Sequence, residues 1–403
     1  MPNWKKYLLI AGIAGGFILI LIIIIVLIAS SGDSNGSRKK IGEIICQYEI
    51  SNTVSETKIL GENFKLNTNI DMTIDNKLYN LEKYHKFKNA GQVEVTFNIY
   101  SNEINMDYMF KDTPSLITVL LNSKTKNVKI TSMSSTFENC ANLNNFTNVG
   151  FKTGSLKSIK NLFYKSKLEY MEGLSTENVE DFSYMFASVK SSEIKLDKLV
   201  TKNAKNMSHM FEQAEVSELK FDNFDTSKVI DMSYMFSGCE SLSHLNISKF
   251  VTKNVKDMSG MFLNCMILES IDTSSFDTSQ VTDMSRMFES TTNINQLDLN
   301  HFDTSKVLNM SRMFYYSTNL NELKIGNFKT NEVKDMSHMF SLIRPLTSIQ
   351  IEKFETPNLE NMAGMFQYCP SLRMLNLNNF DTSKVTNMSE LFADSTSLAN
   401  IDI

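Results

Sequence analysis

A phenylalanine that returns at a near-constant interval limits the fold of this 403-residue chain more than any other feature. Phe224-Asp-Thr-Ser-Lys-Val-Ile-Asp-Met-Ser-Tyr-Met-Phe236 reappears as Phe276-Asp-Thr-Ser-Gln-Val-Thr-Asp-Met-Ser-Arg-Met-Phe288 and again between Phe302 and Phe314. The leading Phe stands at 224, 250, 276, 302, 328, 354 and 380. The second stands at 110, 137, 163, 186, 211, 236, 262, 288, 314, 340, 366 and 392, with intervals of 23 to 27 that settle at 26. Twelve such units run from about residue 97 onward. A unit this short cannot bury both its faces alone, so neighbours must stack into a solenoid.

Each unit reads as two halves. Leu242-x-x-Leu245-x-Ile247, Leu320-x-x-Leu323-x-Ile325 and Leu372-x-x-Leu375-x-Leu377 have the period-two pattern of a strand, as in leucine-rich repeats. Val229, Met232, Met235 and Phe236 form one apolar stripe at helical spacing. The residue before the stripe's first Met is Asn105, Ser132, Ser158, Asp181, Asn206, Asp231, Asp257, Asp283, Asn309, Asp335, Asn361 or Asn387. All belong to the set preferred at helix N-caps. The spacing therefore predicts an α/β solenoid, a leucine-rich-repeat-like, right-handed array of about twelve strand–helix units. The many Met and Phe side chains (24 and 27) would fill the space between sheet and helices.

The rest of the chain divides by composition. Residues 7–29 carry no charge, and at 1.5 Å per residue they would span roughly 34 Å, enough for a bilayer core. They read as an uncleaved transmembrane signal-anchor after a short cytoplasmic tail, residues 1–6, although Ala29-Ser30-Ser31 would also suit signal cleavage. Residues 30–40 read as a polar linker, 41–96 as a β-rich capping module, and 97–403 as the solenoid. This predicts a single-pass protein of the cell membrane, held through residues 7–29, with an extracellular repeat domain. Ile401 and Ile403 in the last strand read as unprotected, which predicts self-association through that end.

Charge and motifs exclude several functions. The net charge of −5 falls to −9 once the five basic and one acidic side chains of residues 1–40 are set aside, so the body has no electrostatic footprint for nucleic acid. No Ser/His/Asp grouping, carboxylate pair or phosphate loop appears, and no catalytic residue, cofactor or metal ligand is assigned. Cys140, Cys239, Cys265 and Cys369 each lie three residues after the second Phe, where other units have Ser166, Ala214 or Ser317; they read as buried free thiols in a small slot. His209 and His338 occupy a variable position that elsewhere holds Tyr234, Arg286 or Gly364, which reads as a solvated face.

The outward positions of the strands are the natural binding surface of a solenoid. They are Ser243, His244, Asn246, Glu269, Asp272, Asn295, Gln296, Asp298, Asn321, Glu322, Lys324, Thr347, Gln350, Arg373 and Asn376. This face has no Tyr or Trp to anchor a partner, which points to weak or multivalent contact.

Phe-Asp-Thr-Ser-Lys-Val-x-Asp-Met-Ser-x-Met-Phe, followed by Cys-x-Ser-Leu-x-x-Leu-x-Leu, resembles the BspA-type leucine-rich-repeat surface proteins over residues 97–403. The resemblance implies a microbial surface protein that adheres to host or self surface proteins. The chain lacks the Leu-Pro-x-Thr-Gly sorting signal of many wall-linked relatives. The expected function is adhesion or protein–protein interaction by a membrane-anchored solenoid without enzymatic activity. The alternative is a structural spacer or self-assembling coat.

Overall fold

The architecture is that of a computed structural model describing residues 38–125 and 127–402. It corrects the expected α/β solenoid of strand–helix units. The repeat region is a β-solenoid of about twelve turns, and no helix occurs among the described residues. The reason lies in two columns of each unit. One is the residue between the two Met positions, such as Tyr234; the other is the residue two after the second Phe, such as Gly238. Of the 23 described non-glycine residues with positive φ, all but Asp75 and Asn76 fall in these two columns, and Gly238, Gly260 and Gly364 fill the remaining places. A left-handed residue twice in five positions ends any α-helix.

The backbone amides show what replaces it. The N–H groups of Met232, Tyr234, Phe236 and Gly238 donate to Asp257, Ser259, Met261 and Leu263 in the next coil, at 3.0, 2.8, 3.0 and 2.7 Å. The N–H groups of Met235, Ser237 and Cys239 close local turns on Met232, Tyr234 and Phe236. Alternate amides thus run along the axis and alternate amides fold the chain back. Left-handed conformations cost roughly 1–2 kcal/mol each, and the inter-coil bonds at about 1 kcal/mol apiece offset that. The expected N-caps become Asx turns: Asp231 Oδ1 accepts the Ser233 N–H at 2.9 Å, and Asp283 Oδ1 accepts that of Ser285 at 2.8 Å. The capping chemistry is present without a helix to cap.

Side chains stack coil on coil in the interior. The second-Phe rings, from Phe110 to Phe392, form one column with centroids 5.5–6.0 Å apart and planes within 21° of parallel. Each such contact adds about 0.5–1.5 kcal/mol beyond area burial. The buried Thr of Phe-Asp-Thr-Ser links coils as well: Thr226 Oγ1 donates to the Val251 carbonyl at 3.0 Å and accepts its N–H at 2.7 Å. In the small slot, Cys239 Sγ donates to the Phe211 carbonyl at 3.1 Å and Ser317 Oγ to that of Phe288 at 2.9 Å. Cys and Ser in these coils satisfy the same kind of buried acceptor, whereas Val189, Ala214 and Ile343 fill the slot without a donor and Ser166 Oγ has no partner there.

The strand half is paired only in patches. Leu116–Asn122, Asn145–Val149 and Tyr170–Glu172 form parallel ladders, as do Gln296–Asp298 with Glu322–Lys324 and Met374–Asn376 with Asn400–Asp402. The Asx column, by contrast, is bridged without interruption from Ser158 to Asn387.

Before the coils, Gly42–Ile50 lies antiparallel between Gly91–Ile99 and Leu116–Asn122. It occupies the edge of the first parallel strand, which would otherwise present unpaired backbone groups. Ile44, Cys46, Tyr48 and Ile50 point inward from it, and the Tyr48 hydroxyl donates to the Ile59 carbonyl at 2.8 Å.

The expected placement as a single-pass membrane protein is also corrected. Among the described residues no helix is long and apolar enough to cross a membrane. The proposed tail, anchor segment 7–29 and most of the linker lie outside the described residues.

Candidate interaction surfaces

Two sides of the solenoid present ordered rows of side chains. On the strand side, the outward residues singled out from the sequence are exposed, except Ser243 and Asn376, which are half-buried. The ladder places Gln296 beside Glu322 and Asp298 beside Lys324. Much of the charge there is satisfied internally. Lys324 lies 3.1 Å from Glu322 and 3.6 Å from Asp298, and His244 lies 3.6 Å from Glu269. Pairs this exposed contribute little to stability. Two adjoining shallow clefts of about 300 and 320 Å³ lie between coils here, near Lys195, Lys220 and His244.

The turn side carries the chemistry that the strand side lacks. The left-handed column between the two Met positions holds Tyr184, His209, Tyr234, Gly260, Arg286, Arg312, His338 and Gly364 in successive coils. Tyr184, His209 and Tyr234 stack face to face at 4.2 and 4.9 Å. Glycine follows two rings of this column: a Cβ on Gly260 would lie 2.4 Å from the Tyr234 ring, and one on Gly364 would lie 2.4 Å from His338. The histidines read as solvated are therefore half-buried and packed. His209 Nδ1 lies 2.9 Å from Glu212. His338 Nδ1 is buried without a hydrogen-bond partner, and burial, with Arg312 nearby, holds its pKa below the ordinary value.

Arginine clusters on this side too. Arg312 lies over the Tyr315 ring, 5.0 Å from its centroid. Arg286 Nε is 3.8 Å from Glu289, whose side chain is only 10% exposed. Glu289 Oε2 has no hydrogen bond, and burial pushes this carboxyl above its ordinary range despite the two arginines. Tyr316 and Tyr368, in the second left-handed column, are 40% and 46% exposed. Reading the sequence one unit at a time misses this ridge because its residues vary. The signal is what is absent: none of the 24 places in the two columns holds Val, Ile or Thr, the residues least able to adopt positive φ.

Among the described residues no group of three or more His, Cys, Asp or Glu is placed to hold a metal ion. All five cysteines are free and buried. Burial pushes the thiols up, to about 11 for Cys369 and about 12 for Cys265, which disfavours the nucleophilic thiolate.

A family model described as a Mycoplasma protein of unknown function, DUF285, matches the chain in five overlapping stretches, at residues 81–193, 131–250, 180–297, 243–348 and 318–403. No curated protein and no solved structure matches it. Together the five stretches span the whole solenoid, and the chain belongs to this family.

Proposed function

We propose that this member of the DUF285 family is a non-enzymatic scaffold for adhesion or protein–protein contact. The observation that carries this reading is the registry of the coils. Backbone bonds at a fixed interval turn varied residues into straight rows of exposed side chains, such as Gln296 beside Glu322. A surface of this kind is read by extended contact with another macromolecule. The resemblance to BspA-type adhesive proteins supports the same reading.

A photo-crosslinking residue in place of Gln296, Glu322 or Tyr316 in the full chain tests it. The expected result is a discrete crosslinked protein from at least one side of the solenoid, competed away by unlabelled chain. Diffuse or absent crosslinking from every position would overturn the scaffold reading. It would leave the array as a spacer or coat, which the internally paired charges of Lys324 and His244 favour for the strand side.

A further inference from the structure

Arginine is rare in this chain. There are five among 403 residues, against 35 lysines, yet Arg286 and Arg312 occupy the same left-handed column in successive coils. Substituting lysine for arginine loses the planar fork that grips a carboxylate through two parallel N–H bonds. Arg312 is preordered over Tyr315, and among the described residues no carboxylate lies within ion-pair reach of it. Arg286 has only the loose contact with Glu289. The carboxylates of the adjacent Asx column are already engaged: Asp283 and Asp335 accept from the Ser285 and Ser337 N–H groups and from Asn309 and Asn361. His338 continues the column in the next coil.

We propose that the ridge formed by Arg286, Arg312 and His338, shouldered by Tyr316 and Tyr368, docks a carboxylate-rich polypeptide segment. Three coils at a rise of about 4.8 Å span roughly 10 Å, the length of three extended residues. Two acidic side chains of such a segment reach the two guanidinium forks, and an aromatic or aliphatic neighbour covers the tyrosines. Tyr and Arg are the residues that most often dominate protein–protein contacts. A long polyanion fits less well because the cationic row is short: Gly260 precedes it, and Gly364 and Glu390 follow it.

This inference rests on the scaffold reading but fails separately from it, because crosslinking from Gln296 or Glu322 alone would keep the scaffold and remove the ridge. The test is fluorescence anisotropy of a fluorescein-labelled hexaglutamate titrated with the full chain in low salt. The expected result is saturable binding, weakened about tenfold or more by Arg312→Ala (a loss of about 1.4 kcal/mol). Arg312→Lys, which keeps the charge and loses the fork, should weaken it by less. Lys353→Ala, which removes an exposed cation that belongs to neither row, should leave binding unchanged. Absence of saturable binding overturns the proposal, as does an equal loss in Lys353→Ala. A heparin hexasaccharide that binds through Arg312 where the peptide does not would also overturn it, assigning the ridge to a different class of partner. Circular dichroism of each variant separates loss of the site from loss of the fold.

Discussion

The two long sides of this solenoid are built from the same 26-residue interval, but they are held in different ways. On the turn side the Asx column is bridged continuously, the Phe column stacks from Phe110 to Phe392, and alternate amides cross to the next coil. On the strand side, pairing is confined to short patches such as Gln296–Asp298 with Glu322–Lys324. The side that reads in sequence as the surrounding helices is the continuous one. The side that reads as the sheet is the intermittent one. Regular backbone bonding therefore does not require regular secondary structure, because a tight turn repeated in register can pair its amides as completely as a strand does.

The comparison is broken most directly by removing a ring from the column. Phe288→Ala deletes a fully buried side chain stacked on Phe262 and Phe314 and should cost about 3–5 kcal/mol in a chemical melt. Gln296→Ala, exposed on the strand side of the same coil, should stay within about 0.5 kcal/mol. If hydrogen exchange showed the amides of Phe236, Phe262 and Phe288 opening as readily as those of Gln296–Asp298, the turn side would not be the stable spine.

A smaller effect is expected at Gly260. Gly260→Ala sets a methyl against Tyr234 at a backbone angle of +56° and should cost about 1–3 kcal/mol. Adding Tyr234→Ala should recover the steric part and leave the cost of the left-handed alanine, about 1 kcal/mol. Additive losses in the double variant would show that the ring and the glycine are independent.

Asp283→Ala removes an Asx turn and should cost about 1 kcal/mol, whereas Asp283→Asn keeps the acceptor and should cost little. A melting temperature that rises with calcium and loses that rise in Asp283→Asn would mean instead that this column binds metal.

Glu289→Gln sharpens the comparison least. Burial raises the folded-state pKa of this carboxyl, so the folded protein binds its proton more tightly than the unfolded chain does. Its stabilising contribution is therefore present below the unfolded pKa and is lost as pH rises through that value to the folded one. Glu289→Gln should melt about 1–2 °C above the wild type at pH 7, with the difference gone below about pH 4. A variant that is less stable at pH 7 would show that the Arg286 contact outweighs the burial.

The repeat itself was legible from the sequence, because the same side chain meets itself in every coil and so leaves a period. The local conformation was not. Val229, Met232, Met235 and Phe236 are spaced as on a helix, and the same spacing serves a chain that turns back at Tyr234 and Gly238. Nothing within one unit separates the two, since Tyr234 is an ordinary helical residue. The distinction appears down the column, where Tyr234 is followed by Gly260, Arg286, Arg312 and His338 and never by a β-branched residue. The same variability kept the ridge from being recognised as a surface with its own chemistry. The strand-side residues were placeable because alternation fixes which side chains point out.

The slot occupied by Cys239, Cys265, Ser317 and Ser395 sets how freely the array can change in length. Each of these side chains bonds the Phe carbonyl of the coil before it, at 3.1, 3.1, 2.9 and 2.5 Å, while Val189, Ala214 and Ile343 fill the same slot with no donor. Excising or duplicating one whole unit returns the Phe column to an equivalent neighbour, whereas the left-handed column must also keep its glycines beside Tyr234 and His338. Gain or loss of a coil shifts everything beyond it by a single axial step of about 4.8 Å. The protein is in this sense a ruler whose reach can be altered one graduation at a time.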